Sequence, residues 1–142
     1  MNIDELTQAI GSDSVIDQAA LDSEALKIPL LHAKYYKIFM EEVRSLRILD
    51  LRYKELKRDR TDYYLGKAPD AVYQEEPLDH KVLKADLDLY LDSDKALSIV
   101  QTKRDLQKSK VQMIEDFIKT INNRSFLISN AISWRKFQNG VT

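Results

Sequence analysis

Lys57, Arg58, Arg60, Tyr63, Tyr64 and Lys67 crowd into the stretch KRDRTDYYLGK, residues 57–67. Cations at that density neutralise phosphates, and each phosphate neutralised on a single strand adds about −0.7 to the log–log salt slope of binding. A phenol ring beside them offers a face on which an unpaired base stacks, at ~1–3 kcal/mol per base and with little regard to sequence. Upstream, Arg44, Arg47, Lys54 and Arg58 fall within an arc of roughly 80° on a helix, a stripe suited to tracking a phosphate backbone. A second reading stays open. In it, Tyr63 and Tyr64 are the last core aromatics of a helix, and Arg58 and Arg60 pair with Asp59 and Asp62.

Other chemistry is thinly represented. His32 and His80 are the only histidines, and neither has a ligand partner at helical spacing. Gly11, Gly66 and Gly140 stand alone, so no glycine loop cradles a phosphate. Asp86, Asp88, Asp92 and Asp94 supply carboxylates but lack the glycine and distal glutamate of a calcium loop. We therefore expect no catalytic residues, no metal and no cofactor. With no cysteine, disulfides and thiol chemistry are excluded, and a reducing cytoplasm fits. The first residues show no basic leader, and no uncharged stretch approaches the length of a membrane span.

These side chains need a scaffold, and the seam from Leu30 to Gly66 supplies one. Tyr35, Phe39, Glu42, Leu46, Leu49, Tyr53, Leu56, Arg60 and Tyr63 alternate spacings of four and three, a heptad pattern. No glycine or proline interrupts it before Gly66. Such a helix is roughly 54 Å long at ~1.5 Å per residue. A compact chain of this size has a radius of gyration of only about 14 Å, so the helix needs partner helices, within the chain or between copies.

The remaining elements follow from breakers and caps. Ile3–Ile10 is expected as a short helix closed by Gly11. Asp17 is expected to cap a helix from near Gln18, and Pro29 to force a kink or restart before Leu30. The reading expects one helical domain over 1–142, with N-terminal helices in 1–66, a loop over 67–78 and C-terminal helices in 79–142. Within Leu78–Asp94, helix is expected to about Leu89, then a short extended piece. Asp92 or Ser93 should cap a second long helix with the seam Val100, Arg104, Gln107, Val111, Ile114, Ile118, Ile121, Ser125, Ile128, Ile132. Its polar stretch 101–110 should face water or a ligand. Asn122 and Asn123 are placed for a bend, and Gly140 lies past the end. Ile114, Phe117, Ile118, Ile121, Leu127, Ile128, Ile132, Trp134 and Phe137 form an apolar stripe that we expect to join subunits.

Composition agrees with an all-α, long-helix protomer: 142 residues, 44% hydrophobic, three glycines and three prolines. The net charge of −1 argues against a generic polyanion binder. Charge is instead segregated. Residues 44–60 carry net +4, 69–94 net −6 and 95–110 net +4.

DSVIDQAALDSEALKIPLLHAKYY near the start, DYYLGKAPDAVY after the seam and ISNAISWRKFQNG at the end together resemble the UvsY-type recombination mediators of large tailed phages. The resemblance spans nearly the whole chain. It implies an all-helical protomer in a ring or open-barrel homo-oligomer, a heptamer in the family. It further implies a phage-encoded protein of the host cytoplasm that binds single-stranded DNA. That protein would help a RecA-like phage recombinase displace the phage single-strand-binding protein. The family's basic pair falls on Arg58 and Arg60, with Lys57 and Lys67 as neighbours by position. Its oligomerisation region falls on the segment ending in Trp134 and Phe137. Asp59 and Asp62 depart from the pattern by diluting the local positive charge. Two other functions stay in view: a coiled-coil adaptor with protein partners only, and a metal-dependent hydrolase using Asp86–Asp94.

Overall fold

Asn2 starts the first helix. Its side chain accepts the Glu5 N–H at 2.8 Å, and the Glu5 carboxylate accepts the Asn2 N–H at 2.9 Å, a reciprocal cap that satisfies two otherwise orphaned donors. In this computed structural model, which describes residues 1–140, five α-helices follow one another: α1 Ile3–Asp13, α2 Leu21–Tyr64, α3 Asp70–Glu75, α4 Leu87–Asp92 and α5 Lys95–Gln138. A 3-10 turn at Lys84–Asp86 leads into α4. No strand occurs among the described residues.

The chain divides into two units: Met1–Val43 with α5 from Ser109 onward, and Arg44–Lys108. In the first unit, Leu6 of α1, Tyr35 of α2 and Ile114, Phe117 and Ile121 of α5 form the core, with Ile10, Ile28, Leu31, Ile38, Phe39, Met113 and Ile118 packed around it. Phe117 meets Tyr35 edge to face, centroids 4.6 Å apart. Tyr35 is fully buried, and its hydroxyl donates to Asp13 at 2.7 Å. Lys34 donates to the same carboxylate at 2.6 Å. Arg124, only 3% exposed, lies 3.9 Å from Glu24 and donates to the Asp13 carbonyl. Glu42 pairs with Lys110 at 3.0 Å.

In the second unit, Arg104 lies over the Tyr53 ring with its Nε 3.3 Å from Asp50. Leu91, Leu97 and Val100 are buried with Tyr63 and Val82.

All nine expected seam positions of α2 are buried or half-buried. Several local expectations are corrected. α2 does not restart at Pro29, which lies inside it. Ile28 and Leu31 on either side pack into the core, and tertiary burial outweighs the missing amide. Asp17 accepts the Ala19 N–H in a turn rather than capping a helix at Gln18. α1 passes through Gly11 to Asp13. The segment 67–78 is not all loop, since it contains α3. The order expected in 78–94 is reversed, with irregular chain first and helix α4 last. Asp94, not Asp92 or Ser93, caps α5 through the Leu97 N–H at 2.9 Å. α5 continues unbroken through Asn122 and Asn123. Its buried stripe runs Ile114, Phe117, Ile121, Arg124, Ile128, with Ser125 exposed. The stripe leans one position off the expected seam.

Candidate nucleic-acid interface

The C-terminal end of α2 is closed by Gly66 at φ +76. The Lys67 N–H reaches the Asp62 carbonyl at 2.8 Å, and the Gly66 N–H reaches Tyr63 at 3.2 Å. This paired closure needs the left-handed backbone that glycine adopts freely. It turns the chain so that α3 lies against the last turn of α2. Tyr73 stacks on Tyr63 with centroids 5.4 Å apart, and its hydroxyl donates to the Tyr63 carbonyl at 2.8 Å. The Tyr63 hydroxyl donates in turn to the Glu76 carbonyl at 3.0 Å.

Arg60 sits at the centre of this end. Its Nε donates to Asp94 at 2.7 Å, while Nη1 and Nη2 donate to the two oxygens of Glu76 at 3.0 and 3.1 Å. The guanidinium lies 4.2 Å from the Tyr63 centroid and 5.2 Å from that of Tyr64. Tyr64 donates to Asp94 at 2.7 Å. Burial favours the neutral form of Asp94. The Leu97 N–H, Tyr64, Arg60 and the Arg60 charge outweigh it and hold that carboxyl below its ordinary value. Burial likewise opposes the Arg60 charge. Its bonds to Glu76, Tyr64 and Asp94 win, and it is more firmly protonated than a free arginine. Burial pushes the hydroxyls of Tyr63 and Tyr64 up.

The six expected contact residues therefore separate. Lys57, Arg58 and Lys67 are exposed. Arg58 has Asp59 at 3.8 Å as a solvent-exposed neighbour, a pairing worth little. Arg60 is 14% exposed at its side chain and pairs with neither Asp59 nor Asp62. Tyr63 is 3% exposed, which corrects the expectation that it offers an open face to a base. Tyr64 is half-buried, with Tyr90 5.5 Å away. Two residues apart on a helix, Arg58 and Arg60 point about 160° from one another. The stripe Arg44, Arg47, Lys54, Arg58 is exposed throughout. Glu76 and Tyr73 were missed by sequence reasoning, and Asp94 was read only as one carboxylate of an acidic run. The only signal for them was the acidic segment 69–94 following the basic one.

The expected association stripe also separates. Ile114, Phe117, Ile121 and Ile128 are buried within the chain, and Ile118 packs against the core. This corrects their reading as subunit contacts. Ile132, Trp134 and Phe137 are exposed at 37%, 59% and 72%. Leu127 of the same stripe is exposed, as is Phe126, which was missed. Trp134 stacks on Phe137 at 5.5 Å. Beside them a cleft of about 610 Å³ is lined by Ile16, Leu21, Leu127, Ile128 and Trp134, among others.

Among the described residues, no group of His, Cys, Asp or Glu is placed to hold a metal. No helix there is long and apolar enough to cross a membrane.

Residues 9–141 match the model of a family described as "Recombination, repair and ssDNA binding protein UvsY". Among solved structures, the bacteriophage T4 recombination mediator protein UvsY in lattice type II superposes with a TM-score of 0.86 at 22% identity, over 98% of each chain. The same protein in lattice type IV gives 0.83 at 20% identity, over 97% of this chain and 99% of that one. At that identity the likeness shows the fold. No curated protein matches the chain.

Proposed function

We propose, from the premise that this chain belongs to the UvsY family of recombination, repair and single-stranded-DNA-binding proteins, that it acts as a recombination mediator. It binds a single strand, promotes loading of a RecA-like phage recombinase, and does so against the phage single-strand-binding protein. The observation that carries the reading is the exposed stripe Arg44, Arg47, Lys54 and Arg58 on one face of α2. Lys57 and Lys67 are exposed beyond it. Tyr63, Tyr64 and Asp94 position this end of the helix rather than stack on bases.

One such stripe is a weak site. In our reading, copies associate through the exposed aromatics near the end of α5, in a ring or open-barrel homo-oligomer, a heptamer as the family resemblance implies. Several copies engaging one strand raise avidity without any new contact. The support is the apolar group of Phe126, Leu127, Ile132, Trp134 and Phe137, open to solvent in the single chain. The stacked Trp134 and Phe137 give it an exposed apolar centre, of the kind that marks an interaction face. A strand held along several stripes is extended, which suits recombinase nucleation and strains a competitor's grip.

Anisotropy titration of labelled oligothymidylate over a range of salt concentrations tests the DNA part. Four phosphates per stripe give a log–log slope of about −2.8 per protomer, and Arg47→Ala with Arg58→Ala halves it to about −1.4. Both residues are exposed, so light-scattering mass stays unchanged. Binding with the same slope in the double variant removes the stripe from the site. No salt-dependent binding at all favours the adaptor with protein partners only.

A further inference from the structure

We propose that Glu76 is a built-in surrogate for a phosphodiester: in the DNA-free protein its carboxylate occupies the two terminal nitrogens of Arg60, and one phosphate of a bound single strand replaces it. The inference rests on the reading of this end of α2 as DNA-contacting, and adds to it a competing anion carried by the chain itself.

The geometry separates a fixed half from an exchangeable half. The fixed half is Arg60 Nε on Asp94, whose side chain is 2% exposed and is also held by Tyr64 and the Leu97 N–H. The exchangeable half is Nη1 and Nη2 on Glu76, whose side chain is 56% exposed. Two parallel N–H···O bonds to two oxygens of one anion are the arrangement that a guanidinium makes equally with carboxylate and with phosphate. When the Glu76 side chain swings into water, Asp94 and the Tyr63 face keep the fork aimed where it was. The fork therefore needs no rearrangement to accept a phosphate. Glu76 keeps its backbone tie to the Tyr63 hydroxyl, so only the side chain moves.

This arrangement gives the site a threshold. A lone anion must outcompete a carboxylate tethered beside the fork, whereas a strand held on the cation stripe and passing round the end of α2 to the opposite face brings its phosphate to the fork at high effective concentration. The acidic segment 69–94 then selects against isolated anions and short oligonucleotides.

The test is a double-mutant cycle on single-strand affinity, read by anisotropy with oligothymidylate. Glu76→Gln removes an exposed ion pair, so binding tightens roughly two- to fivefold. Glu75→Gln removes the same charge one residue away, and tightens binding clearly less. Arg60→Lys keeps the charge beside Asp94 but loses the fork, and in that background Glu76→Gln gives no gain. Equal effects of Glu75→Gln and Glu76→Gln, or a gain that survives Arg60→Lys, overturn the surrogate role and leave only net charge. Loss of binding on Arg58→Ala without any gain from Glu76→Gln overturns the surrogate while keeping the DNA site. If neither Arg58→Ala nor Arg60→Lys alters binding, the site reading itself falls.

Discussion

Replacing Asp94 is the sharpest test of how the end of α2 is held. Asp94 is 4% exposed and does three things at once. It caps α5 through the Leu97 N–H, accepts Arg60 Nε and accepts the Tyr64 hydroxyl. Asp94→Ala deletes the cap, worth ~1 kcal/mol. It also breaks a buried ion pair, which costs ~3–5 kcal/mol when one partner is removed. Arg60 retains Glu76, so the lower end of that range applies and the total is about 4 kcal/mol. Asp94→Asn keeps the cap acceptor at Oδ1 but puts an amide NH2 where Tyr64 and Arg60 donate, and costs about 1 kcal/mol less than the alanine variant. Urea unfolding followed by circular dichroism, at fixed protomer concentration, reads both. With a slope near ~2 kcal/mol per molar, Asp94→Ala lowers the midpoint by about 2 M. An unchanged midpoint refutes the assignment of Asp94 as the anchor. Equal losses in the two variants refute its role as the cap.

Three further outcomes are expected. Tyr35→Phe removes a buried donor to a charged acceptor and destabilises by ~1.5–3 kcal/mol in the same denaturation assay, Asp13 keeping its bond to Lys34. Burial opposes ionisation of Asp13, yet its bonds from Lys34 and Tyr35 and the Lys34 and Arg124 charges hold its carboxyl below the ordinary value, as Asp94 is held. The stability contributed by both is full above the unfolded value of about 3.9 and is lost as pH falls through the depressed one. Burial pushes Tyr35, Tyr63 and Tyr64 the other way. Their contribution is full below about 10 and is lost as pH rises beyond it. A thermal-unfolding profile flat across both windows contradicts this. Trp134→Ala with Phe137→Ala lowers the light-scattering mass while thermal unfolding of the protomer changes little, because both side chains are exposed. An unaltered mass removes them from the association face.

The long helices were legible because their signals are local and repeated. The four-and-three spacing marks the seam of α2, and Gly66 and Gly140 carry the positive φ expected past helix ends. What was not legible depended on distant partners. Arg60 reaches 34 residues along the chain to Asp94 and 16 to Glu76, and nothing in its own neighbourhood names them. Leu87, Leu89 and Leu91 alternate with aspartates, yet Leu91 is buried while Leu89 is 69% exposed. A strand would put those two on one face, so helical periodicity with Leu87 and Tyr90 half-buried wins. On α5 the apolar composition promised a contact stripe between subunits. Tyr35 and α1 cover most of it from within, leaving outward only the last turns. Of the acidic run, Asp94 is engaged by Arg60, a cation of the chain itself.

Four ion pairs punctuate the apolar seams: Glu24 with Arg124 and Glu42 with Lys110 in the first unit, Asp50 with Arg104 and Arg60 with Asp94 in the second. A stripe of leucines and isoleucines would tolerate a seven-residue slip almost without penalty. Here a slipped alignment sets Glu24, Glu42, Asp94 or Arg124, all buried, against hydrocarbon, at several kcal/mol each. The buried charges thus single out one register from its slipped neighbours.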